Sequence, residues 1–139
     1  MTTDSEEQAL AHERVRRQHS AELAQDYVEA IYEISLAKEP VRVSSLVKIF
    51  GVSHVTVIRT LQRLKEQGLI TDTRSKHIAL TKEGQQMGKD SAARHELLRN
   101  FFISLGVSSE QANADAEGAE HHLSKETLKA IEKFLHERS

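Results

Sequence analysis

Apolar residues recur at helical spacing along most of the chain. Leu23, Tyr27, Ala30 and Ile31 fall at i, i+4, i+7 and i+8, which predicts a helix from about residue 20 to 36. Residues 1–19 carry no such stripe and read as a polar extension, frayed or partly helical. Pro40 punctuates the chain, and Val41 and Val43 hint at a short extended segment. Ser44 and Ser45 are natural N-caps for a short helix through Leu46, Val47, Ile49 and Phe50. Gly51 can end that helix in the left-handed conformation. Ser53 can cap a second helix, in which Val57, Leu61 and Leu64 form the inward stripe and which stops near Gly68. Helix, glycine turn and helix is the helix-turn-helix pattern.

Beyond Gly68, Leu69-Ile70 lead into a polar stretch, and Ile78 and Leu80 then alternate with Ala79 and Thr81. This predicts a small β-hairpin with Arg74, Ser75 and Lys76 at its tip, the place of a wing. Thr81 caps a long helix to about Leu105, and Gly106 ends it. Ser108 or Ser109 opens a helix over about 110–122, and Ser124 opens a last one with Leu128, Ile131, Phe134 and Leu135 as its apolar face. The expected fold is mainly α with a small β wing. It comprises a polar extension (1–19), a winged helix-turn-helix (20–83), and a helical dimerisation and metal-binding domain (84–139).

Composition narrows the classes. The chain has no cysteine, so disulfides and thiolate metal sites are excluded. No apolar run approaches the roughly 18 residues that span a bilayer, and Met1 to Gln18 is unlike a signal peptide, so a cytoplasmic location with no membrane partner is expected. The net charge is −2, yet residues 46–82 hold seven cationic side chains against Glu66 and Asp72, a local +5. A basic segment in an acidic chain suits a polyanion on one face. The outward residues of the second helix are Ser53, His54, Val55, Thr56, Arg59 and Arg63. His54, Thr56 and Arg59 can meet base edges in the major groove of double-stranded DNA, and Val55 a thymine methyl. Arg63, Lys48, Lys65, Arg74 and Lys76 suit phosphates. The bland alternative is that Arg59 and Arg63 only solvate a helix face; the wing pattern that follows weighs against it.

A second constellation is acidic. Asp26 and Glu29 share a helix face at i, i+3, and Glu117, Glu120 and His121 share another at i, i+3, i+4. His122 is turned about 140° from Glu117 and should point elsewhere, while His95 stands on the long helix between Arg94 and Glu96. Clustered carboxylates repel unless a cation neutralises them. Oxygen and imidazole donors without sulfur suit manganese, with geometry and metal supply rather than raw affinity setting selectivity. Taken alone, each cluster also fits an ordinary solvated acidic face.

Several stretches together resemble the iron- and manganese-dependent repressors of the diphtheria toxin repressor family. They are Asp26-Tyr27-Val28-Glu29-Ala30-Ile31-Tyr32, the helix-turn-helix over 43–64, Gly68-Leu69-Ile70, Ile78-Ala79-Leu80-Thr81 and Arg94-His95-Glu96-Leu97-Leu98. The most specific is Asp115-Ala116-Glu117-Gly118-Ala119-Glu120-His121-His122. The resemblance implies metal ligation by Asp26, Glu29, His95, Glu117, Glu120 and His121, as a paired Mn2+ site in each subunit of a homodimer. Iron-type members usually have methionine at the place of Asp26 and cysteine at that of Glu117, so the donors here match the manganese type, with Fe2+ as second candidate. It further implies a DNA operator with two-fold half-sites and repression of metal-uptake genes. Longer members add an SH3-like domain, which is not expected in a chain read to Ser139. The rival readings are a winged-helix regulator sensing a small organic ligand and a di-metal carboxylate enzyme. The enzyme reading is disfavoured because such bundles supply Glu-x-x-His from each of two helices, whereas here the Glu-Glu-His set is on one helix.

Overall fold

The computed structural model describes residues 3–71 and 78–138. Six helices occur among them: α1 (Asp4–Leu36), α2 (Val43–Phe50), α3 (His54–Glu66), α4 (Lys82–Ser104), α5 (Ser109–Ala119) and α6 (Lys125–Arg138). The chain divides into two compact units, Met1–Gly88 and Lys89–Ser139, and the division falls inside α4. No helix among the described residues is long and apolar enough to cross a membrane.

In the first unit, α1 begins much earlier than its apolar stripe predicts. Thr3 and Glu6 form a reciprocal capping box: Thr3 N–H donates to the Glu6 carboxylate at 3.0 Å, and Glu6 N–H donates to Thr3 Oγ1 at 3.2 Å. Asp4, Glu6 and Glu7 complement the helix dipole there, and Glu13 pairs with Arg17 at 3.0 Å one turn apart. From Asp4 onward, the extension expected to be frayed or partly helical is continuous helix. Periodicity missed it because residues 3–19 are all exposed, so their pattern has no buried face to record.

The α2 start is also corrected. The helix begins at Val43 with Arg42 as its N-cap, and Ser44 and Ser45 lie within its first turn rather than before it. Its end follows expectation. Gly51 adopts φ +63°, and its N–H donates to the Val47 carbonyl oxygen at 2.9 Å. Ser53 then caps α3 by accepting the Thr56 N–H at 3.1 Å. The stripe of Val57, Leu61 and Leu64 is buried against Leu46 of α2 and Tyr27, Val28 and Ile31 of α1. Tyr27 stacks on Phe50, with ring centroids 4.1 Å apart.

After α3 the chain makes one antiparallel bridge, Ile70 with Leu80. Thr71 N–H donates to the Ala79 carbonyl oxygen at 2.8 Å, and Thr81 N–H to that of Leu69 at 3.0 Å. Among the described residues there is no strand beyond this bridge, and the expected wing tip at Arg74, Ser75 and Lys76 lies outside them. Thr81 closes the segment, its hydroxyl donating to the Gly68 carbonyl at 2.6 Å and accepting the Gly84 N–H at 3.1 Å, so it also caps α4.

The second unit packs the rest of α4, α5 and α6 around Leu98, Ala116 and Ile131. Phe101 meets Phe134 edge-to-face at 5.7 Å. Ser108 and Ser124 cap α5 and α6 through the backbone N–H groups of Gln111 and Thr127. Helix α5 ends at Ala119, shorter than expected: Glu120 is its C-cap, and His121 and His122 occupy the following turn.

Two glycines of α4 allow close packing in the first unit. A Cβ on Gly84 would strike the Leu69 carbonyl oxygen, and one on Gly88 would lie 2.6 Å from Tyr32 Cβ. Gly118 of α5 has open space around its Cβ position. We therefore expect Gly84→Ala to destabilise the metal-free protein by roughly 1–3 kcal/mol through overpacking. Gly118→Ala should stabilise it by about 0.5–1 kcal/mol through helix propensity. Thermal or urea denaturation in chelator checks both signs.

Candidate functional site

Two surfaces carry chemistry. The first is the solvent face of α3. Its stripe of Val57, Thr60, Leu61 and Leu64 is buried, which turns Ser53, His54, Val55, Thr56, Arg59 and Arg63 outward, all exposed. Ser53 Oγ lies 2.8 Å from Thr56 Oγ1, so these hydroxyls hold the first turn together. A hydroxyl has one donor and two acceptor sites, so each keeps capacity for a further bond. Lys48 on α2 is exposed as well. Arg74 and Lys76, the remaining residues expected at DNA, lie outside the described residues. Ile58, 47 % exposed, joins Val55, 57 % exposed, three residues away on α3. The outward set expected from the sequence did not include Ile58.

The second surface is a donor set in the second unit. His95 stands on α4, Glu117 on α5, Glu120 at the α5 C-cap and His121 just beyond. His95 Nδ1 lies 3.6 Å from a Glu117 oxygen and 3.4 Å from a Glu120 oxygen, and His121 Nε2 lies 3.5 Å from the other Glu120 oxygen. Glu120 is only 2 % exposed and His95 17 % on its side chain. His95 Nδ1 is buried and makes no hydrogen bond among the described residues. His122, expected to point away, is exposed.

These spacings suit a shared cation. Metal–oxygen distances of about 2.0–2.6 Å place neighbouring ligands of an octahedron about 2.8–3.7 Å apart. That matches the separations of 3.4–3.6 Å and exceeds good direct hydrogen bonds. The donors are hard oxygens and imidazole nitrogens in a chain without cysteine, which suits manganese over softer ions. In the first unit, Asp26 and Glu29 stand one turn apart on α1, with Glu29 6 % exposed.

One residue that the sequence did not single out touches this set. Asn113 Oδ1 lies 2.7 Å from His95 Nε2, on the ring edge opposite Nδ1. The signal was present: Asn113 precedes Glu117 by four residues and so shares its helix face.

Both halves of the chain match known protein families. Residues 20–78 match the iron-dependent repressor N-terminal DNA-binding domain, and residues 81–139 match the iron-dependent repressor metal-binding and dimerisation domain. The chain is 40 % identical over 131 residues to the transcriptional regulator MntR of Escherichia coli O157:H7, covering 94 % of this chain and 84 % of that protein. It is 34 % identical over 107 residues to the HTH-type transcriptional regulator MntR of Bacillus subtilis strain 168, covering 77 % of this chain and 75 % of that one. Among solved structures, a manganese-dependent transcriptional repressor in complex with manganese is similar at TM-score 0.71 and 29 % identity. The manganese regulator SloR is similar at TM-score 0.73 and 25 % identity. This chain is covered to 81 % in both and spans about half the length of those solved chains, 52 % and 53 %.

From the exposed residues of α2 and α3 we expect two kinds of contact with DNA. On a duplex selected from a randomised library in manganese, Arg59→Ala should reduce discrimination against mismatched sites by roughly 1–3 kcal/mol. Lys48→Ala should weaken binding to all duplexes alike and lower the salt slope by about 1. Anisotropy titrations across salt concentrations measure both; exchanged effects would relocate the recognition surface.

Proposed function

The chain belongs to the iron-dependent repressor family, and from that membership we propose that it is a manganese-responsive DNA-binding transcriptional repressor acting as a homodimer in the cytoplasm. The observation that carries the reading is the donor set of His95, Glu117, Glu120 and His121, whose atoms stand 3.4–3.6 Å apart without sulfur. It is not an enzyme: its relatives are transcriptional regulators.

Asp26 and Glu29 complete the ligand set in our reading, giving a paired site in each subunit. Their support is the family resemblance, their shared helix face and the hardness of their oxygens. When bound, Mn2+ supplies positive charge that lets several carboxylates stand together. Asp26 and Glu29 belong to α1, the long helix that packs on the helix-turn-helix. In our reading, metal held by this set orders the dimer. That restricts the spacing and tilt of the two α3 helices in the dimer, so less ordering entropy is lost when both enter successive major grooves. An operator with two-fold half-sites follows from a two-fold dimer. By reciprocity, DNA tightens metal as much as metal tightens DNA. Arg74 and Lys76 are assigned to phosphate contacts on their charge. The genes repressed are those of metal uptake.

Manganese should therefore strengthen DNA binding, and Glu117→Ala or His121→Ala should each abolish that effect while leaving the metal-free fold intact. Mobility shifts with manganese, iron, zinc and chelator test this; equal affinity in chelator and in manganese would refute the reading. Selectivity is tested separately. Asp26→Met with Glu117→Cys should move the response from manganese toward ferrous iron, because thioether and thiolate favour the later metals. Activation curves measured anaerobically decide it, and an undiminished manganese response with no gain for iron removes these two residues as selectors.

A further inference from the structure

His95 offers a nitrogen to the donor set at one ring edge and meets an amide at the other. Its Nε2 lies 2.7 Å from Asn113 Oδ1, while Nδ1 lies 3.6 and 3.4 Å from the carboxylates of Glu117 and Glu120 and makes no hydrogen bond among the described residues. An amide oxygen only accepts, so Nε2 carries the proton in this contact. A neutral imidazole has one N–H, so Nδ1 is then the nitrogen with the lone pair. The opposite tautomer would place an N–H on Nδ1, where it could donate to Glu120 or Glu117 and occupy the position a cation needs. The arrangement that seats metal is therefore the one in which His95 donates from Nε2. Metal-ligating histidines generally fix tautomer and ring orientation through a partner on the second nitrogen. Asn113 stands one turn before Glu117 on α5, so ligand and partner share one rigid element.

We propose that Asn113 is a positioning residue that holds His95 as its Nε2–H tautomer, with the Nδ1 lone pair aimed where Glu117 and Glu120 converge. The proposal rests on the manganese-site reading above for its consequence, though not for its geometry. Its effect is on metal affinity, and through that on DNA binding. Asn113 itself is exposed and belongs to no core cluster, so its side chain is removable without opening the interior.

The test uses the full chain in two arms. In the metal-free protein, long-range proton–nitrogen NMR correlations of the His95 ring report the tautomer. In the second arm, manganese affinity is measured by competition with a fluorescent chelator. We expect wild type to show His95 protonated at Nε2, and Asn113→Leu to shift it to the other tautomer or a mixture. Asn113→Leu should also bind manganese 10- to 100-fold more weakly, the usual loss for such partners. Asn113→Asp keeps an acceptor and should restore both the tautomer and the affinity, which a purely structural role of Asn113 would not produce. An unchanged tautomer together with unchanged manganese affinity in Asn113→Leu overturns the proposal. If wild type showed the expected tautomer yet bound no manganese, the functional reading would fall while the positioning of His95 by Asn113 stood.

Discussion

A carboxylate leaves water at a steep free-energy cost unless a positive charge or a set of donors meets it. Glu120, 2 % exposed, therefore constrains everything around it. It faces His95 from one oxygen and His121 from the other, and Glu117 approaches the same imidazole. A divalent cation answers that constraint directly, since it offers two charges and accepts several oxygen and imidazole ligands at once. A structural ion pair with His95 would leave spacings longer than good hydrogen bonds, which is why the geometry favours a metal site over a salt-bridge network.

The packing that makes this possible is the contact of α4 with α5. Leu98 and Ala116 are fully buried together, and each lies within a turn of a donor: His95 precedes Leu98 by three residues, and Ala116 lies beside Glu117 and four before Glu120. A small residue at 116 lets the helices approach, and the approach brings imidazole and carboxylates within reach. Core and donor set are thus two faces of one helix–helix contact. Filling the core with a larger side chain at Ala116 would displace these side chains as well.

In the first unit a buried frame holds an exposed face of α3. The stack of Tyr27 on Phe50 and the stripe of Val57, Leu61 and Leu64 fix α3 against α1 and α2, and the tight glycines of α4 press that helix against Leu69 and Tyr32. What remains outside on α3 is a mixture of Arg59, His54, hydroxyls and two β-branched residues, Val55 and Ile58. That mixture matches the edges of base pairs, which present acceptors, donors and thymine methyls.

The order of the helices, the caps at Ser53 and Ser124, the glycine turn at Gly51 and the inward stripe of α3 were legible from sequence, and the α5 cap was narrowed to Ser108 or Ser109, of which the structure uses Ser108. They are local, written in spacings of three and four residues and in side chains that bond the nearest backbone. The helical continuation to Asp4 and the start of α2 at Val43 were not, because an exposed helix has no apolar period and a cap competes with alternatives one residue away. The pair Asp26 and Glu29 and the trio Glu117, Glu120 and His121 were each read from spacing as one helix face, although α5 ends before Glu120. Their family resemblance, rather than their spacing, distinguished them from solvated acid. Which edge of His95 meets the carboxylates, and that Asn113 holds the other, only tertiary structure could decide. His95 and Asn113 stand eighteen residues apart on different helices, and their meeting depends on how closely α4 and α5 pack, a distance no local pattern encodes.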